Sequence, residues 1–400
     1  MPAEWELHEA TWLTWPTNRT TWPGKLLKRV ENIYIQMIAA LLPGEKVNLL
    51  VRDTKAAKAV SNRLNGRKYP LSRLIFHQVK TVDTWIRDYG PIFVKKTSVI
   101  SRPSAEISHK AEISRFTRDD NDSNVAFTKW IFNAWGGKYS DLARDNRVVD
   151  RIPYLKKFKR FDTGLVMEGG SIDMNGLGTC LTTEQCLLTK TRNPKFSKKY
   201  IEDIFGKYLG VKKMIWLKEG IEGDDTDGHV DDITRFVGPR TVVTAVEDDP
   251  KDMNHKILEE NLQILKRSTD QDGKRLRIFE LPMPGRVGEG RHDGCHFEPR
   301  RMTGREIFLF PPKADQSQAE KAEISHFVRD DKVGRLPASY ANFYIGNKSV
   351  LLPIYSNRND RQALSVIKGL FPKRKVVSIE CSPLVYGLGS IHCVTQQQPA

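Results

Sequence analysis

A helix followed by a strand recurs along this chain, and this alternation limits the folds that it can adopt. Apolar residues follow helical spacing over 26–41, Pro43 and Gly44 end that helix, and 47–51 is typical of a buried strand. The same pairing is predicted at 54–64 with 74–79, 201–209 with 214–217, 257–265 with 276–281, and 363–370 with 376–379. Repeated helix–strand units predict an α/β architecture, and their similarity predicts a repeat built around an axis.

Two polar stretches, at about 97–124 and 287–333, interrupt the alternation. They contain the segments 110–120 and 321–331, which are identical at all but two positions. Architectural repeats diverge and recur at a regular period, so near-identical copies in unrelated contexts indicate inserted or duplicated elements. Long surface insertions cost little stability, because the entropy of loop closure grows only with the logarithm of loop length. Docking of a partner, or covering of a site, is the alternative role.

The most concentrated chemistry lies in the stretch 223–232, which holds five carboxylates and His229 in a chain of net charge +15. If the chain after Gly228 is extended, alternation places the side chains of His229 and Asp231 on one face. An Asp- and Gly-rich surface loop is the alternative interpretation. A Ca²⁺ loop is disfavoured, because the Asp-x-Asp-x-Asp spacing with a closing Glu is missing.

The sequence favours a cytoplasmic protein. It has no run of 18 apolar residues that would predict a membrane span, and residues 1–6 lack the basic and apolar regions of a signal peptide. An odd number of cysteines without zinc-like spacing favours free thiols in a reducing compartment. The cysteines are Cys180, Cys186, Cys295, Cys381 and Cys393.

The positive net charge does not predict a nucleic-acid partner. The 64 Lys and Arg residues are spread over the whole chain, without a long basic block. The sequence also has no nucleic-acid-binding motif, so the charge is interpreted as a solvated basic surface.

Polar, turn-rich clusters follow several predicted strands, and their side chains suggest a common site. These clusters contain Asp88, Glu168, His229, Asn342 and Cys393. A late cysteine is by itself more often a packed small residue than a nucleophile. Together with an imidazole and several carboxylates, however, it predicts thiol chemistry on a cation. Planar guanidinium is the natural ligand of paired carboxylates, each of which can accept a bidentate hydrogen-bonded fork.

A series of motifs along the chain resembles one family. The motifs lie at 1–12, 15–16, 85–91, 132–139, 168–173, 181–184, 223–232, 336–344 and 391–397. They resemble those of the agmatine deiminases, in the bacterial peptidylarginine deiminase-like branch of the guanidino-group-modifying enzymes. The resemblance covers nearly the whole chain apart from the two polar stretches. It implies a single catalytic domain over 1–400 with the fold of a five-bladed α/β propeller, in which pseudo-fivefold ββαβ repeats surround a central active site.

The resemblance also implies roles for individual residues. It assigns Cys393 as the nucleophile and His229 as the general acid and base. Asp88 and Asp231 would bind the guanidinium nitrogens, and Glu168 would support the histidine and the substrate. These residues are therefore expected to meet around one substrate.

The reaction that the resemblance implies is hydrolysis of agmatine to N-carbamoylputrescine and ammonia, in putrescine biosynthesis. It would proceed through a covalent amidino-thioether on Cys393, with Trp85 enclosing the guanidinium in a cation–π contact worth about 0.5–2 kcal/mol. No metal or organic cofactor, no nucleic acid and no membrane is expected. Family resemblance also implies a homodimer.

Two residues beside Cys393 depart from the family pattern. Leu388 stands where the family usually has glycine, and Ser390 where it has asparagine. If the glycine position has positive φ, leucine costs roughly 1–2 kcal/mol there. Loss of the amide is expected to loosen the turn before Cys393, so an active but slowed enzyme is predicted.

Other functions remain open at this point. The same fold could deiminate free arginine or a peptidyl C-terminal arginine. A metal hydrolase could use His229, Asp231 and Asp88, with a second cluster at 292–296. A non-catalytic paralogue could bind a partner through its basic surface and the duplicated segments. The sequence does not identify the residues that bind the distal amine of agmatine.

Overall fold

The computed structural model describes residues 1–65, 69–96, 124–287 and 335–400, and the predicted helix–strand pairs lie within them. The first predicted helix is observed at Leu26–Leu41, and the strand after it at Lys46–Val51. Each of the other predicted helices and strands is also present, with bounds that differ by a few residues. The periodicity argument is therefore confirmed.

The described residues form strands that are numbered here in chain order. They are β1 His8–Thr14, β2 Lys46–Val51, β3 Leu74–Gln78, β4 Ile92–Lys95, β5 Val125–Ile131, β6 Lys159–Val166, β7 Asp173–Met174, β8 Thr179–Thr183, β9 Lys213–Leu217, β10 Thr234–Gly238, β11 Thr241–Val246, β12 Arg277–Pro282, β13 Tyr344–Ile345, β14 Ser349–Ile354, β15 Lys375–Glu380 and β16 Thr395–Pro399.

The helices of the described residues range from single turns to four turns. They are α1 Leu26–Leu41, α2 Thr54–Leu64, α3 Ile86–Tyr89, α4 Ala134–Gly137, α5 Glu184–Leu187, α6 Lys198–Leu209, α7 Met253–Arg267, α8 Asp360–Leu370 and α9 Ser382–Val385. Within these ranges, no helix combines the length and the apolar character that crossing a bilayer requires.

The strands of the described residues form five sheets. Four of them have three strands each, in the orders β4-β5-β6, β7-β8-β9, β10-β11-β12 and β13-β14-β15. In each, the first pair is antiparallel and the second pair is parallel. A parallel pair needs a crossover connection, and α6, α7 and α8 supply it in three of these sheets. The protein is thus a mixed α/β fold built from a repeated unit.

The remaining sheet joins the two ends of the sequence. Its order is β16-β1-β2-β3, in which β16 is antiparallel to β1, and β1 is parallel to β2. Thr11 lies opposite Gln397 in the antiparallel ladder. The strands β16, β1 and β2 therefore reproduce the repeated unit from segments that are remote in sequence, with β3 added at its edge.

Helix α1 illustrates how apolar spacing produces the core. Val30, Tyr34, Met37 and Ile38 recur at helical intervals and have no exposed surface. They belong to a large apolar cluster that also contains residues of β2 and β14. Burial of one such side chain contributes roughly 1.5–3 kcal/mol, so the helix is held mainly by this packed face.

The stretches predicted as insertions lie almost entirely outside the described residues. Of 97–124 and 287–333 the structure describes only Asn124 and Val287. The duplicated segments, Cys295 and the 292–296 cluster fall outside it as well.

Candidate active site

The polar clusters predicted to form a site lie in segments that connect one sheet to the next. Asp88 is in α3, between β3 and β4, and Glu168 lies between β6 and β7. His229 lies between β9 and β10, Asn342 between β12 and β13, and Cys393 between β15 and β16. Each passage from one sheet to the next thus contributes at least one polar side chain.

Gly170 lies where three of these segments meet. A Cβ added to it would lie 2.5 Å from Nδ1 of His229, 3.0 Å from Oδ1 of Asp88 and 3.1 Å from Oδ2 of Asp231. Its backbone N–H also donates a hydrogen bond to Oδ1 of Asp88 at 3.0 Å. The structure therefore brings these three predicted site residues together, around a backbone position that has no room for a side chain.

The extended backbone considered for the residues after Gly228 is not observed. Val230–Asp232 forms a turn of 3-10 helix, and β10 begins only at Thr234. His229 and Asp231 still face Gly170, but they do so through this turn and not through strand alternation. The predicted proximity is confirmed, whereas the reason given for it was wrong.

Asp88 is a buried carboxylate held by two neutral donors. Nε1 of Trp135 donates to its Oδ2 at 2.9 Å, and the N–H of Gly170 donates to its Oδ1. Burial raises the pKa of Asp88 to about 6, and the neighbouring Asp231 and Glu168 add to the rise against the opposing effect of His229. Its proton is therefore held far more tightly than that of an exposed aspartate.

Trp135 reaches Asp88 from a run of left-handed backbone. In α4 the φ angles are 58° at Ala134, 55° at Trp135, 86° at Gly136 and 84° at Gly137. Left-handed conformation costs roughly 1–2 kcal/mol at a residue with a side chain. The indole is clamped by edge-on contact with the ring of Phe132, at 5.1 Å between centroids.

Glu168 is paired with an arginine that no local sequence pattern indicated. Nε of Arg192 lies 3.0 Å from both carboxylate oxygens of Glu168, and both side chains are fully buried. Burial alone would raise the pKa of Glu168, but the charges of Arg192 and His229 outweigh it and lower the pKa. Glu168 is therefore ionised. Arg192 also donates to Oδ2 of Asp227 at 2.6 Å, which ties it to the acidic stretch.

His229 is buried among anionic groups. Its Nδ1 lies 3.9 Å from Oδ1 of Asp88, and its Nε2 lies 3.9 Å from Oε2 of Glu168. Burial would lower the pKa of His229, but Asp88, Cys186 and Glu168 together raise it well above its usual range. The ring is therefore an imidazolium. Its Nε2 is buried and has no hydrogen-bond partner among the described residues.

Within the acidic stretch, Asp224 organises the backbone that leads to His229. Its carboxylate accepts hydrogen bonds from the backbone N–H groups of Thr226, Gly228 and His229, at 2.8, 2.9 and 3.0 Å. The stretch is therefore not simply a polar surface loop, because the hydrogen bonds of Asp224 fix the backbone that positions the imidazole of His229.

Asp231 and Asp232 are adjacent buried carboxylates with different partners. Oδ2 of Asp231 accepts from Nδ1 of His392 at 2.6 Å, whereas Oδ1 of Asp232 accepts from Nδ2 of Asn342 at 2.9 Å. Burial would raise both pKa values, but His392 holds that of Asp231 below its usual range. Burial and the charge of Asp231 raise the pKa of Asp232 well above it. Asp231 is thus the anionic member of the pair, and its Oδ1 has no hydrogen-bond partner among the described residues.

Cys393 is buried next to this pair. Its Sγ and a carboxylate oxygen of each of Asp231 and Asp232 all lie within 4.8 Å of one another. Nδ2 of Asn342 donates to Sγ at 3.2 Å. Burial raises the pKa of Cys393 well above its usual range, and the charges of Asp231, Asp232 and Asp88 raise it further. Without a cation in the site, the group is therefore a neutral thiol.

The turn before Cys393 contains the two departures noted in the sequence. Leu388 has φ of 68°, which confirms that a positive φ is required at a position where leucine is strained. Ser390 is buried, and its Oγ accepts a hydrogen bond from the hydroxyl of Tyr355 at 3.2 Å. The serine is therefore anchored in the structure, even though it lacks an amide.

An open cleft leads to Cys393. It encloses about 630 Å³ of space, including the part open to solvent. Its lining includes Cys393, Asp88, Trp85 and Trp135, together with the residues Thr21, Asp83, Tyr139, Leu142, Asp225, Thr226, Tyr386, Gly387, Leu388 and Gly389. Trp85 packs tightly on the turn, since a Cβ on Gly389 would lie 2.4 Å from its ring and 3.1 Å from Cβ of Cys393. Glu168, His229 and Asp231 are buried more deeply, at 0–1% exposure.

Two clusters in the described residues have donor atoms close enough to consider a metal ion. They are Glu168 with Cys186 and His229, and Asp231 with Asp232 and Cys393, each within 4.8 Å. In the first, Arg192 already binds both oxygens of Glu168, and the imidazole is cationic. A metal there would have to displace two positive charges, so the donor set is better suited to an organic cation and proton transfer.

Several residues of the site were not assigned from the sequence. They are Trp135, Arg192, Asp232, Asn342 and His392, each of which contacts a predicted site residue. Two signals were present, because Trp135 precedes a glycine pair that permits left-handed backbone, and Asn342 lies in one of the polar clusters. No comparable signal existed for Arg192.

A thiol, an imidazolium and several carboxylates in and beside one cleft are groups that covalent catalysis on a cationic group can use. The family model of the Porphyromonas-type peptidyl-arginine deiminases matches residues 1–399, and the chain belongs to that family.

Relatives in this family include agmatine deiminases. That of Medicago truncatula is 34% identical to this chain over 412 residues, which cover 100% of this chain and 96% of the relative. The solved structure of agmatine deiminase from Enterococcus faecalis is 29% identical, with a TM-score of 0.75, over 100% of this chain and 95% of that one. The agmatine deiminase of C. jejuni, at 23% identity and a TM-score of 0.71 over 100% and 95% of the two chains, shares the fold.

Substitution of Gly170 by alanine is expected to abolish activity, because the new Cβ would meet His229 and Asp88 at 2.5 and 3.0 Å. Gly369→Ala is the matched control, since a Cβ there has nothing within 4 Å. Ammonia release and thermal unfolding of both variants would be measured. Full activity of Gly170→Ala would show that the three side chains can separate without loss.

Substitution of Leu388 by glycine is expected to raise the free energy of unfolding by about 0.5–1 kcal/mol, because relief of the left-handed strain exceeds the added freedom of the unfolded chain. Leu188→Gly is the control, since Leu188 has an ordinary φ of −96° and its replacement should destabilise. Urea unfolding compares the two. Equal destabilisation of both variants would contradict the strain at Leu388.

Proposed function

We propose that the protein is an agmatine deiminase, which hydrolyses agmatine to N-carbamoylputrescine and ammonia in putrescine biosynthesis. The observation that carries the proposal is the neutral buried thiol of Cys393 beside an anionic Asp231 whose Oδ1 has no partner among the described residues. A ligand that carries a positive charge and hydrogen-bond donors would compensate the charge of Asp231 and bind its free Oδ1. The agmatine deiminases of Medicago truncatula and Enterococcus faecalis, which resemble the chain over its whole length, support the same reaction.

In this proposal the guanidinium lies between Asp88 and Asp231. Free Oδ1 of Asp231 accepts from one nitrogen, and Asp88, held by Trp135, accepts from another. Two carboxylates on a planar fork give strong, oriented hydrogen bonds. Trp85, which packs on the turn before Cys393, covers the cation with its ring. The guanidinium carbon is then presented to the sulfur.

The thiol becomes a nucleophile when the cation binds. In the free enzyme, burial and three carboxylates raise the pKa of Cys393. A bound guanidinium supplies the missing positive charge and lowers the pKa, so the thiol releases its proton to solvent through the open cleft and the thiolate forms next to its target. Attack forms the C–S bond and converts the guanidinium carbon to a tetrahedral centre.

His229 is the proton donor and acceptor of the proposal. As an imidazolium it gives a proton to the leaving nitrogen, and the C–N bond breaks to release ammonia. The neutral ring then takes a proton from water, which attacks the amidino-thioether carbon. The new C–O bond replaces the C–S bond, which yields the carbamoyl product and regenerates Cys393. Glu168, fixed by Arg192, holds the ring and favours its charged form.

The other end of the cleft favours agmatine over free arginine. The carboxylates of Asp83 and Asp225 line it, and no Lys or Arg does so among the described residues. Nζ of Lys138 already lies 3.5 Å from Oδ1 of Asp225, so Asp83 is the carboxylate of this surface that has no cationic partner among the described residues. Asp83 is therefore proposed to attract the distal ammonium and to disfavour the α-carboxylate of arginine.

The wider organisation is part of the same proposal. The five sheets of the described residues share one strand pattern, and each connection between sheets contributes at least one site residue. This supports a five-bladed α/β propeller with the site on its axis, as a single domain over 1–400. A homodimer in the cytoplasm completes the proposal.

Purified protein is expected to release ammonia from agmatine in preference to arginine or a C-terminal-arginine peptide, with or without EDTA. Cys393→Ala should lose all turnover because it lacks the nucleophile, whereas Cys381→Ala, which removes another buried free cysteine, should retain it. Equal rates with arginine would reject the substrate assignment. Loss of activity with EDTA, or persistent activity of Cys393→Ala, would reject the thiol mechanism.

The rate should fall on the acid side near the pKa of Asp88, which burial raises to about 6. Below that pH the carboxyl is protonated and no longer accepts from the guanidinium, so kcat/KM is expected to decline about tenfold per pH unit. Trp135→Phe removes a donor that stabilises the carboxylate, so the acid limb should move to higher pH. If the acid limb of kcat/KM stays at the same pH in Trp135→Phe, the pH dependence does not report the protonation of Asp88.

A further inference from the structure

His392 connects Asp231 to a carboxylate close to the start of the sequence. Nδ1 of the ring lies 2.6 Å from Oδ2 of Asp231, and Nε2 lies 2.7 Å from Oε2 of Glu4. All three side chains are buried, at 6% exposure or less. The three groups form a continuous line that ends at the unpartnered Oδ1 of Asp231.

The hydrogen bonds of this line require a charged ring. A carboxylate only accepts, so both ring nitrogens of His392 must carry hydrogen when Glu4 and Asp231 are ionised. Burial would raise the pKa of Glu4, but Arg235, His392 and Arg87 together lower it well below its usual range. His392 also holds the pKa of Asp231 low. When both carboxylates are ionised, the ring thus donates from both nitrogens, to Oδ2 of Asp231 and to Oε2 of Glu4.

Glu4 is itself fixed by several donors. Nη2 of Arg235 lies 2.8 Å from its Oε1, Nη2 of Arg87 lies 3.3 Å from its Oε2, and the N–H of Ile345 donates to Oε1 at 2.9 Å. Nε of Arg87 donates in turn to the backbone carbonyl of His392 at 3.2 Å. The carboxylate is therefore held rigidly, with its second oxygen turned to the imidazole.

We propose that Glu4 and His392 are positioning residues for catalysis, which orient Asp231 and keep it the anionic member of the Asp231–Asp232 pair. The inference rests on the proposed deimination of a guanidinium. His392 occupies Oδ2 of Asp231, so that Oδ1 is directed to substrate, and Glu4 prevents the ring from rotating. Neither residue lines the cleft, and neither forms a hydrogen bond to the thiol, whose recorded partner among the described residues is Asn342.

The carboxylate pair makes this selection necessary. Asp231 and Asp232 are consecutive, buried, and within 4.8 Å of Cys393. Two adjacent buried carboxylates resist simultaneous ionisation, and the partner with the better cation keeps its charge. Asn342 supplies a neutral donor to Asp232, whereas His392 supplies a cationic donor to Asp231. Removal of the imidazolium would transfer protons towards the substrate-binding carboxylate.

Two substitutions of His392 test its hydrogen bonds to Asp231 and to Glu4 one at a time. Asparagine places an amide near the position of Nδ1, so His392→Asn can still donate to Asp231 but loses Glu4 and the charge. Glutamine places its amide near Nε2, so His392→Gln can still reach Glu4 but leaves Asp231 unbound. We expect kcat/KM for agmatine to fall roughly tenfold in His392→Asn and Glu4→Gln, and on the order of 100-fold in His392→Gln.

The pH profile distinguishes positioning from loss of stability. Loss of the imidazolium raises the pKa of Asp231 from its present low value, so Asp231 joins Asp88 in titrating on the acid side. The acid limb of kcat/KM should therefore begin at higher pH in both His392 variants. The matched control is Glu45→Gln, because Glu45 is equally buried and contacts a histidine, with 3.3 Å between its Oε1 and Nδ1 of His8. That variant should lose thermal stability without a shift of the limb.

The outcomes are separable. A wild-type protein that turns over no guanidine would reject the proposed function itself. If the wild type is active, an acid limb that stays in place in the His392 variants, with activity losses that follow the melting temperature as in Glu45→Gln, would overturn the positioning role. If Glu4→Gln does not fold, the comparison of His392→Asn with His392→Gln still decides, because equal losses in the two would also overturn it.

Discussion

Burial of charged groups without loss of their charge is the constraint on which this site depends. An ionised carboxylate removed from water costs several kcal/mol unless a cation or several donors compensate it. Here Arg192 compensates Glu168, and His392 and two arginines surround Glu4. The compensation is selective, since Asp231 has a cationic partner and Asp232 a neutral one. Asp231 keeps its negative charge next to the neutral thiol of Cys393, and a bound cation would compensate that charge.

The sheets matter to this chemistry because they fix where the connecting segments end. Glu4 precedes β1 and Cys393 precedes β16, and the antiparallel ladder between these strands sets their relative position. A slip of one residue would turn every side chain of a strand to its other face. Pairing of the two ends of the sequence therefore does more than close the fold. It brings His392 within hydrogen-bond distance of Glu4, and so links the first turn of the chain to the reacting groups.

Strained backbone is concentrated beside the cleft. Of the non-glycine residues with positive φ in the described structure, Trp135 and Leu388 line the cleft directly. Strain of about 1–3 kcal/mol persists only where the surrounding structure enforces it. At Trp135 the indole is held by Asp88 and by neighbouring rings, and at Leu388 the adjoining turn is fixed by Trp85 and by the bond of Ser390 to Tyr355. The strained backbone at Trp135 and Leu388 thus accompanies the placement of the indole and of the turn before Cys393 at the same cleft.

Much of the fold and part of the site could be predicted from the sequence. Apolar spacing located the helices and strands, and the motifs around Asp88, Glu168, His229, Asp231 and Cys393 indicated thiol chemistry on a guanidinium, because propensity, periodicity and motif content are local properties. The turn at Val230–Asp232 was not predicted, since short polar segments have no periodicity. Only the tertiary structure decided which carboxylates are ionised and which oxygen is free for substrate. The physical reason is that the compensating groups, Arg192, Asn342 and His392, belong to connecting segments that are far apart in the sequence. The energy of a buried charge depends on its distances to such groups, and no local pattern of residues specifies those distances.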